Sequence, residues 1–353
     1  MFYRPTWAEI DLGNIAYNLR LLRGVVGRKT RILVTVKADA YGHGILPVSR
    51  KLVSCGVGYL GVASIDEALA IRGAGIKCDI LVLGGALPWG AKTIVERGLV
   101  SAVFDLQSAK ALNAAAKRRN KKARVHIKVD TGMGRLGVWC NQALGFIREV
   151  SGFKSLDIEG IFTHLAYADS NRSLTQKQIA LFERLIGDLG RNGLNIRWRH
   201  IANSLGILDF AHSDFNLVRP GIVIYGLCPR ANIPLRFRPA LSLKSKIVSL
   251  KAAPAGQRIS YGGSYVTRRK TLIATVPIGY GDGYPRALSN MARVLINGRK
   301  VKVAGMVCMD YIMLDLGRMR GVKCGDTVTL IGEDRGKAIT AEELAGVAGT
   351  ICY

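Results

Sequence analysis

The sequence lacks the features that mark membrane and secreted proteins. Its 353 residues contain no apolar run near the roughly 18 residues that a membrane-spanning helix needs. The N-terminus carries Glu9 and Asp11 where a signal peptide would have an apolar stretch. We therefore expect a cytoplasmic protein that makes no membrane contact.

Cysteine pairs and metal-binding clusters are missing as well. The seven cysteines are odd in number and include no CxxC spacing, which indicates free thiols in a reducing compartment. No group of His, Cys and Asp residues has the spacing of metal ligands, so we expect no metal.

Acidic residues are scarce. The chain has 25 Asp and Glu against 51 Lys and Arg, a net charge of +26, which favours an anionic partner. The densest basic run, residues 117–124, has no interleaved aromatic residues for base stacking, and no zinc-finger or RNP-type motif is present. The pattern is typical of a solvated basic surface or of a site for a small anionic cofactor, and we expect no nucleic acid partner.

What the sequence does contain is a repeated strand–helix pattern. Eight β-branched runs end in polar or glycine residues, and amphipathic stretches such as 107–119 and 175–190 lie between them. The runs are residues 31–37, 58–63, 79–84, 99–104, 124–130, 158–164, 196–201 and 217–225. Eight such units within roughly 225 residues predict an α/β fold with an N-terminal (β/α)8 TIM-type barrel. A doubly wound sheet is the alternative, but the GxGxxG fingerprint is absent after the first run.

The pattern changes after about residue 232. Short strand-like segments, several of alternating polarity, follow with turn signals such as Asn297-Gly298, and they predict a C-terminal, mainly-β domain. The segments are 241–251, 272–279, 293–296, 301–307, 311–316 and 326–331. We place the barrel at residues 1–232 and the β-rich domain at 233–353, and we expect the first ten or so residues to pack with the β-rich domain.

Polar residues follow several of the predicted barrel strands, where barrel enzymes carry their chemistry. Lys37 closes an apolar run; desolvation there would free its amine to form a Schiff base, and a lysine that reaches out to solvent is the alternative. Gly221 would let backbone N–H groups approach a phosphate, with an ordinary Pro-Gly turn as the alternative. A Schiff-base lysine and a phosphate site in one barrel indicate pyridoxal 5′-phosphate (PLP).

Nine motifs, in order along nearly the whole chain, resemble those of the alanine racemase family. They are RPTWAEIDLGNIAYN (4–18), VKADAYGHG (36–44), KVDTGMGRLG (128–137), THLAYAD (163–169), HIANS (200–204), RPGIVIYG (219–226), SYGGSY (260–265), GYGDGYPR (279–286) and GMVCMD (305–310). The resemblance implies a PLP-dependent homodimer with each active site at the subunit interface. It implies interconversion of L- and D-alanine, which supplies D-alanine for peptidoglycan. A racemase of broader amino-acid specificity and a non-catalytic PLP-binding barrel protein remain alternatives.

The resemblance also implies residue roles around the cofactor. Lys37 would hold PLP and act as the base on one face of the substrate, and Tyr265 of the partner subunit would be the base on the other face. Arg219 would face the pyridine nitrogen and weaken PLP as an electron sink. The implied cofactor-binding residues are Lys37, Tyr41, His164, His200, Asn203, Ser204, Arg219, Gly221, Ile222 and Tyr353.

Further residues would serve the substrate. Arg135, with Met309 of the partner subunit, would bind the alanine carboxylate, and Tyr284 would line the access path. Lys128 matches the carbamylated lysine of the family, whose carbamate orients Arg135; the alternative is that Lys128 pairs with a neighbouring acid such as Asp130. A phenol titrates near pH 10, so Tyr265 needs its pKa lowered by about 3 units, which nearby arginines would supply. His126 and His212 are predicted to be structural.

Overall fold

The computed structural model describes residues 3–210, 215–228 and 235–352. The chain forms two compact units: one is Leu12–Arg238, and the other combines Met1–Asp11 with Pro239–Tyr353. The boundary that we predicted at residues 232 and 233 lies outside the described residues.

The first unit is built on eight parallel strands that nearly close into a barrel, which confirms the predicted fold class. In spatial order they are β10 (Leu217–Val218), β2 (Arg31–Thr35), β3 (Tyr59–Val62), β4 (Asp79–Val82), β5 (Val100–Val103), β6 (Ala123–Asp130), β8 (Leu156–Phe162) and β9 (Trp198–His200). A short strand, β7 (Val138–Trp139), pairs with β6. The backbone N–H of Arg219 donates to the Ala202 carbonyl (2.9 Å). This hydrogen bond joins the segments that follow the C-terminal ends of β9 and β10.

Each of the eight predicted runs overlaps one of these strands, although β6 begins one residue and β8 two residues before the predicted run. The last strand is shorter than its run. Only Leu217–Val218 of residues 217–225 is extended, and Ile222–Tyr225 forms a 3-10 turn. Pro220 lies between the two. Because proline has no N–H to donate to a neighbouring strand, it ends the strand there.

Helices connect the barrel strands. They are α1 (Leu12–Val26), α2 (Lys37–Gly42), α3 (Ile45–Ser54), α4 (Ile65–Gly73), α5 (Ala91–Glu96), α6 (Leu106–Lys117), α7 (Ala143–Ser151), α8 (Arg172–Arg191) and α9 (Ser204–Asp209). The predicted amphipathic stretches correspond to α6 and α8. Short polar residues cap several of them: Asp105 Oδ1 accepts from the Ser108 N–H (2.7 Å), and Asn171 Oδ1 accepts from the Leu174 N–H (3.0 Å).

The second unit is an antiparallel sheet, as predicted for the C-terminal domain. Its strands follow the order β1 (Thr6–Ile10), β11 (Leu241–Lys246), β19 (Thr327–Asp334), β16 (Arg293–Ile296), β17 (Arg299–Val303), β18 (Ile312–Asp315), β15 (Thr271–Val276) and β12 (Ser249–Ala253), with β20 (Lys337–Ile339) paired to β19. The pair β13 (Arg258–Ile259) and β14 (Tyr265–Val266) stands apart, and α10 (Ala341–Ala348) follows β20.

One predicted segment of this unit is divided in the structure. Residues 241–251 form two strands, β11 and β12, with different neighbours: β11 pairs with β1 and β19, and β12 pairs with β15. The predicted turn at Asn297-Gly298 is present, and φ is 50° at Asn297 and 72° at Gly298. Positive φ at both positions is what a tight two-residue hairpin turn requires.

Candidate active site

The predicted site residues of the barrel gather at one end of its strands. Lys37 follows β2, Lys128 lies near the end of β6, and His164 and Arg219 follow β8 and β10. The C-terminal ends of parallel strands meet at one mouth of a barrel. Burial, followed by the charges of Arg219, Arg135, Lys37 and Lys128, holds the pKa of His164 well below its ordinary value. His164 is therefore neutral within a cluster of four cations.

Lys37 is half-buried at this mouth. Burial and then the charge of Arg135 hold the pKa of the Lys37 amine below its ordinary value, and the charge of Glu67 opposes them. A lower pKa leaves more of the amine unprotonated, which is the form that attacks a carbonyl. These surroundings favour a reactive amine over a lysine directed to solvent.

A left-handed turn, α2, follows Lys37 and was not predicted from the sequence. All of residues 38–41 have φ between 51° and 55°, where each residue with a side chain costs about 1–2 kcal/mol. Glu67 holds the start of the turn: the Ala38 N–H donates to Glu67 Oε1 (2.6 Å), and the Ala63 N–H donates to Glu67 Oε2 (2.7 Å). Glu67 thus ties the backbone after Lys37 to the end of the adjacent strand.

Arg219 is only 4% exposed, and its donors are directed at fixed acceptors. Nη1 donates to His200 Nδ1 (2.7 Å), while Nη2 donates to the carbonyls of Thr163 (2.7 Å) and Ile201 (3.1 Å). Nη2 also lies 3.5 Å from His164 Nδ1. Burial lowers the pKa of Arg219 to about 9. In the described part of the chain, no carboxylate forms an ion pair with this guanidinium.

Lys128 is buried beside Arg219. Its Nζ donates to the Leu83 carbonyl (3.3 Å) and lies 5.4 Å from the centroid of the Phe162 ring. Burial, then the charges of Arg135, Arg219 and Lys37, lowers the pKa of Lys128 to about 8. About a tenth of this amine is therefore unprotonated at pH 7, far more than for an ordinary lysine.

Asp130, the partner suggested for Lys128, is engaged elsewhere. Its Oδ1 accepts from the N–H groups of Gly132 (2.8 Å) and Met133 (2.8 Å), and its Oδ2 accepts from the Arg135 N–H (3.1 Å). No ion pair between Asp130 and Lys128 occurs among the described residues. Asp130 instead folds the loop that carries Arg135, whose side chain is exposed.

Three of the residues predicted to hold a phosphate lie together. The Gly221 N–H donates to Ser204 Oγ (3.0 Å). A Cβ added at Gly221 would lie only 2.4 Å from Tyr41 Oη, so glycine is what lets the tyrosine hydroxyl approach this backbone. Tyr41, at the end of the left-handed turn, and Ser204, at the start of α9, are thereby brought to one point.

The other predicted cofactor contacts are placed differently. Asn203 caps α9, with its Oδ1 accepting from the Gly206 N–H (2.9 Å), and its Nδ2 donates to the Leu165 carbonyl (3.4 Å). Ile222 begins the 3-10 turn after Gly221. Tyr353 lies outside the described residues.

Tyr265, Met309 and Tyr284 belong to the second unit. The Tyr265 hydroxyl donates to Asp315 Oδ2 (2.5 Å), and burial together with this carboxylate raises the pKa of Tyr265 to about 12. Met309 is 55% exposed. Tyr284 lies in the hydrophobic core of the unit, and burial raises its pKa. Within one chain, the pKa of the Tyr265 hydroxyl is therefore higher than a base that works near neutral pH needs.

Sequence reasoning assigned no role to Glu67 and Glu159, and it treated His126 as structural. Yet His126 Nδ1 lies 2.7 Å from His200 Nε2. One signal could have found His126: it is two residues before Lys128, so both side chains lie on the same face of β6. Glu159 gave no such signal, because its direction depends on a β-bulge that a sequence pattern does not show.

Two absences hold over residues 3–210, 215–228 and 235–352. No three or more His, Cys, Asp or Glu side chains are grouped so that they could hold a metal ion. No helix in these ranges has the length and apolar character needed to cross a bilayer.

Family profiles match both units of the chain. The alanine racemase N-terminal domain matches residues 10–229, and the alanine racemase C-terminal domain matches residues 240–353. Among curated relatives, an alanine racemase of Halothermothrix orenii is 43% identical over 99% of this chain and 93% of its own length. An alanine racemase of Symbiobacterium thermophilum is 42% identical with the same coverage.

Solved structures of the same family superpose closely. An alanine racemase of Clostridium difficile has a TM-score of 0.94 at 38% identity, covering all of this chain and 93% of its own. That of Bacillus anthracis with bound L-Ala-P has a TM-score of 0.93 at 37% identity, covering 100% and 92%. A histidine racemase of Leuconostoc mesenteroides has a TM-score of 0.91 at 30% identity, covering 100% and 95%. The chain belongs to the alanine racemase family.

Proposed function

We propose that the chain is a PLP-dependent racemase that interconverts L-alanine and D-alanine. The observation that carries this proposal is the cationic cluster at the barrel mouth, formed by Lys37, Lys128, Arg135 and Arg219. Lys128 and Arg219 are buried and Lys37 is half-buried, and positive charges in such places are costly unless anions compensate them. The phosphate of PLP and the carboxylate of an amino acid are anions of the size and charge that such a mouth would take.

The residues present fit PLP. The Lys37 amine has the lowered pKa that an attack on the cofactor aldehyde needs. Gly221, Ser204 and Tyr41 form a cradle that a single added methyl group would fill, and they would hold the phosphate together with the Ile222 N–H. Asn203 would support the cradle from the cap of α9. Tyr353 remains an expected phosphate contact.

The cofactor supplies one function: when bound, PLP draws electrons from the α-carbon of an attached amino acid and makes the α-proton acidic. Two bases on opposite faces then suffice for racemisation, since one removes a proton and the other returns one. Lys37 would act on one face, because burial and the charge of Arg135 lower the pKa of its amine and leave more of it unprotonated than in an ordinary lysine.

Tyr265 of a second copy would act on the opposite face. In its own chain Asp315 and burial raise its pKa to about 12. Placed in the barrel mouth of another copy, next to His164 and the cations Arg219 and Arg135, the phenol would titrate lower because nearby positive charge favours the phenolate. Met309 of the second copy would complete the site, and Tyr284 would line the access path.

Arg219 would face the ring nitrogen of PLP. A cation at that position disfavours a proton on the nitrogen, so the cofactor would withdraw electrons less strongly. In this role Arg219 would limit side reactions such as transamination. His200, which accepts a hydrogen bond from Arg219, holds the guanidinium in place.

Arg135 would bind the alanine carboxylate, with Lys128 positioning it. Addition of carbon dioxide to the neutral, unprotonated Lys128 amine would form an N–C bond, release one proton to solvent and leave a carbamate anion where the protonated lysine is a cation. The repulsion between Lys128 and Arg135 would then become a charge-assisted pair. The D-alanine produced would supply peptidoglycan synthesis.

The second candidate function is a racemase of broader amino-acid specificity. One structural neighbour is a histidine racemase, so the fold accommodates more than one side chain. We expect alanine to be the best substrate, and a panel of L-amino acids assayed for racemisation distinguishes this from broad specificity. A non-catalytic PLP-binding barrel is disfavoured, because the chain carries the second domain of the family.

The direct test is interconversion of alanine by the wild type and two variants. We expect the wild type to racemise both enantiomers, Lys37→Ala to lose activity, and Tyr265→Phe to lose at least about a hundredfold through removal of one base. Retention of wild-type activity by both variants would show that these assignments are wrong.

Mixing the two variants tests whether the site is shared between copies. If Tyr265 acts in another copy, a Lys37→Ala and Tyr265→Phe mixture forms heterodimers with one intact site each. Random exchange would restore about a quarter of the wild-type activity. No recovery after verified exchange would place both bases in the same chain.

A further inference from the structure

A series of hydrogen-bonded polar side chains, most of them buried, extends inward from Arg219, beyond the residues that the proposed function uses. His200 and His126 are both 0% exposed, and Tyr59 and Glu159 complete the series. Buried polar groups are costly unless every donor meets an acceptor. The positions of the protons along this series therefore follow from the contacts.

The proton order is fixed at one end by Arg219. A guanidinium has donors and no acceptor, so His200 Nδ1, 2.7 Å from Arg219 Nη1, must be the acceptor. His200 is then neutral, with its proton on Nε2. That proton points to His126 Nδ1 (2.7 Å), which must also accept, so the proton of His126 lies on Nε2 as well.

The series ends at a carboxylate. His126 Nε2 lies 3.1 Å from Tyr59 Oη and 3.3 Å from Glu159 Oε1, and the Tyr59 hydroxyl donates to the same oxygen of Glu159 (3.0 Å). Although burial would raise it, hydrogen bonds from His126 and Tyr59 hold the pKa of Glu159 below its ordinary value. Arg124 Nη1, 3.8 Å from Glu159 Oε2, adds to this.

The backbone is shaped around this series. Pairing of β6 with β8 shifts between Val125, opposite Ile158, and His126, opposite Gly160, so that Glu159 is the extra residue of a β-bulge. A bulge re-aims a side chain relative to regular alternation.

Room for the imidazoles is provided as well. A Cβ at Gly160 would lie 2.3 Å from His126 Nδ1, so glycine leaves the space that this ring occupies. Phe162 stacks on His200 with ring centroids 4.8 Å apart and an angle of 7°. The β-bulge, Gly160 and the Phe162 ring together fix the positions of the groups around the two histidines.

We propose that Glu159 is a positioning residue for the reaction: through His126 and His200 it fixes one order of protons that keeps His200 an acceptor for Arg219. The inference rests on the proposed function, in which Arg219 faces the PLP ring nitrogen. Without the carboxylate, His126 can carry its proton on Nδ1 and donate toward His200. His200 would then carry its own proton on Nδ1, and Arg219 would lose its acceptor.

The experiment compares the wild type with Glu159→Gln, which keeps size and one acceptor oxygen but loses the charge. The matched control is Glu183→Gln, at an exposed position of α8. Histidine-selective ¹⁵N NMR of the full chain, with and without PLP, reports which ring nitrogen carries each proton, and only five histidines need assignment. Thermal unfolding verifies that the variants fold.

We expect both His126 and His200 of the wild type to carry the proton on Nε2. We expect Glu159→Gln to shift His126 and His200 toward the Nδ1 form and to lower kcat about tenfold, with KM for alanine unchanged, because Arg219 would act on the cofactor and not on the substrate. Glu183→Gln should match the wild type in both respects.

An Nδ1 proton on either wild-type histidine overturns the proposal, and so does a Glu159→Gln variant that changes only one of the two readouts. The wild-type spectrum needs neither alanine nor cofactor. A wild type that does not racemise alanine would contradict the proposed function, whereas the proton order would still be decided by the spectrum.

Discussion

Lys128 shows how burial changes the chemistry of a single side chain. Its nitrogen has a carbonyl and an aromatic ring as neighbours, and burial, followed by the charges of three other cations, lowers its pKa to about 8. Carbon dioxide adds only to the unprotonated amine. At a fixed pressure of carbon dioxide, the fraction of Lys128 able to react therefore rises as the pH increases through about 8.

We predict a carbamate at Lys128. Incubation with ¹³C-bicarbonate should give one protein-bound carbamate resonance that grows between about pH 7 and 9, following the titration of the amine. The resonance should be missing in Lys128→Gln and retained in Lys110→Gln, an exposed lysine of α6. A spectrum of the wild type without this signal across the pH range would show that Lys128 stays an amine.

A substitution at Gly221 tests the predicted phosphate site formed by Gly221, Ser204 and Tyr41. The Cβ of Gly221→Ala would meet Tyr41 Oη at 2.4 Å. The expected effect is steric: PLP affinity falls at least about tenfold, which is a loss of about 1.4 kcal/mol. Titration of the apoprotein with PLP measures it.

The control for this variant is Gly145→Ala on α7, where an added Cβ meets nothing within 4 Å. It should bind PLP as the wild type does, and removal of a helical glycine should slightly stabilise the fold. Equal PLP affinities for the two variants would mean that Gly221 does not line the phosphate site.

At the scale of secondary structure, α2 stores the most backbone strain near the site. Four consecutive residues with positive φ cost several kcal/mol in total, at about 1–2 kcal/mol each. The turn directs Tyr41 toward Gly221 and leaves Lys37 at the end of β2. The Glu67 carboxylate accepts two hydrogen bonds from backbone N–H groups, one from Ala38 and one from Ala63, and so anchors the start of this turn.

We predict that Glu67→Ala destabilises the chain by about 1–3 kcal/mol, since two backbone donors lose their acceptor. Urea unfolding measures the change. Asp66→Ala removes an adjacent acidic residue from the same first turn of α4 and should cost only about 0.3–1 kcal/mol. If the two substitutions cost the same, Glu67 is not an anchor of the turn.

Some of these elements follow from the sequence and others do not. The barrel strands were predictable because runs such as residues 79–84 are apolar and bounded by polar or glycine residues. The left-handed turn was not, because alanine and tyrosine rarely adopt positive φ and only tertiary contacts hold them there. The bulge at Glu159 arises from pairing with β6, which local patterns do not encode.

The site was predictable to a similar degree. Motif resemblance identified Lys37, Lys128 and Arg219, which the structure brings to one mouth. It did not show that the Tyr265 hydroxyl would bind Asp315 in its own chain, since that contact joins residues fifty positions apart. Contacts of this length come from the folded sheet and not from the spacing of residues.

At the scale of the whole molecule, the net charge of +26 is unevenly placed. Seven described helix-to-strand connections of the barrel, at the end opposite the site, contain ten basic and no acidic residues. The ten are Arg28, Lys29, Lys77, Arg97, Arg118, Arg119, Lys121, Lys122, Lys154 and Arg197. Like charges at one end of a barrel repel one another and destabilise the compact state.

We predict that salt stabilises the protein. Raising KCl from about 20 mM to about 500 mM shortens the screening length severalfold and should raise the midpoint of thermal unfolding by about 2–4 °C. The same ionic strength from different monovalent salts should act alike, which separates screening from specific ion binding. A midpoint that falls with salt would indicate that favourable ion pairs outweigh the repulsion.

We expect the amine of Lys37 to carry the cofactor at the mouth of this barrel. Borohydride treatment of the PLP-loaded chain fixes the cofactor carbon to the nitrogen it is bonded to, and peptide mapping by mass spectrometry then locates the label. We predict a pyridoxyl mass on the peptide containing Lys37 and none after Lys37→Ala. A label on another lysine, or no label on a chain that racemises alanine, would show that Lys37 does not carry the cofactor.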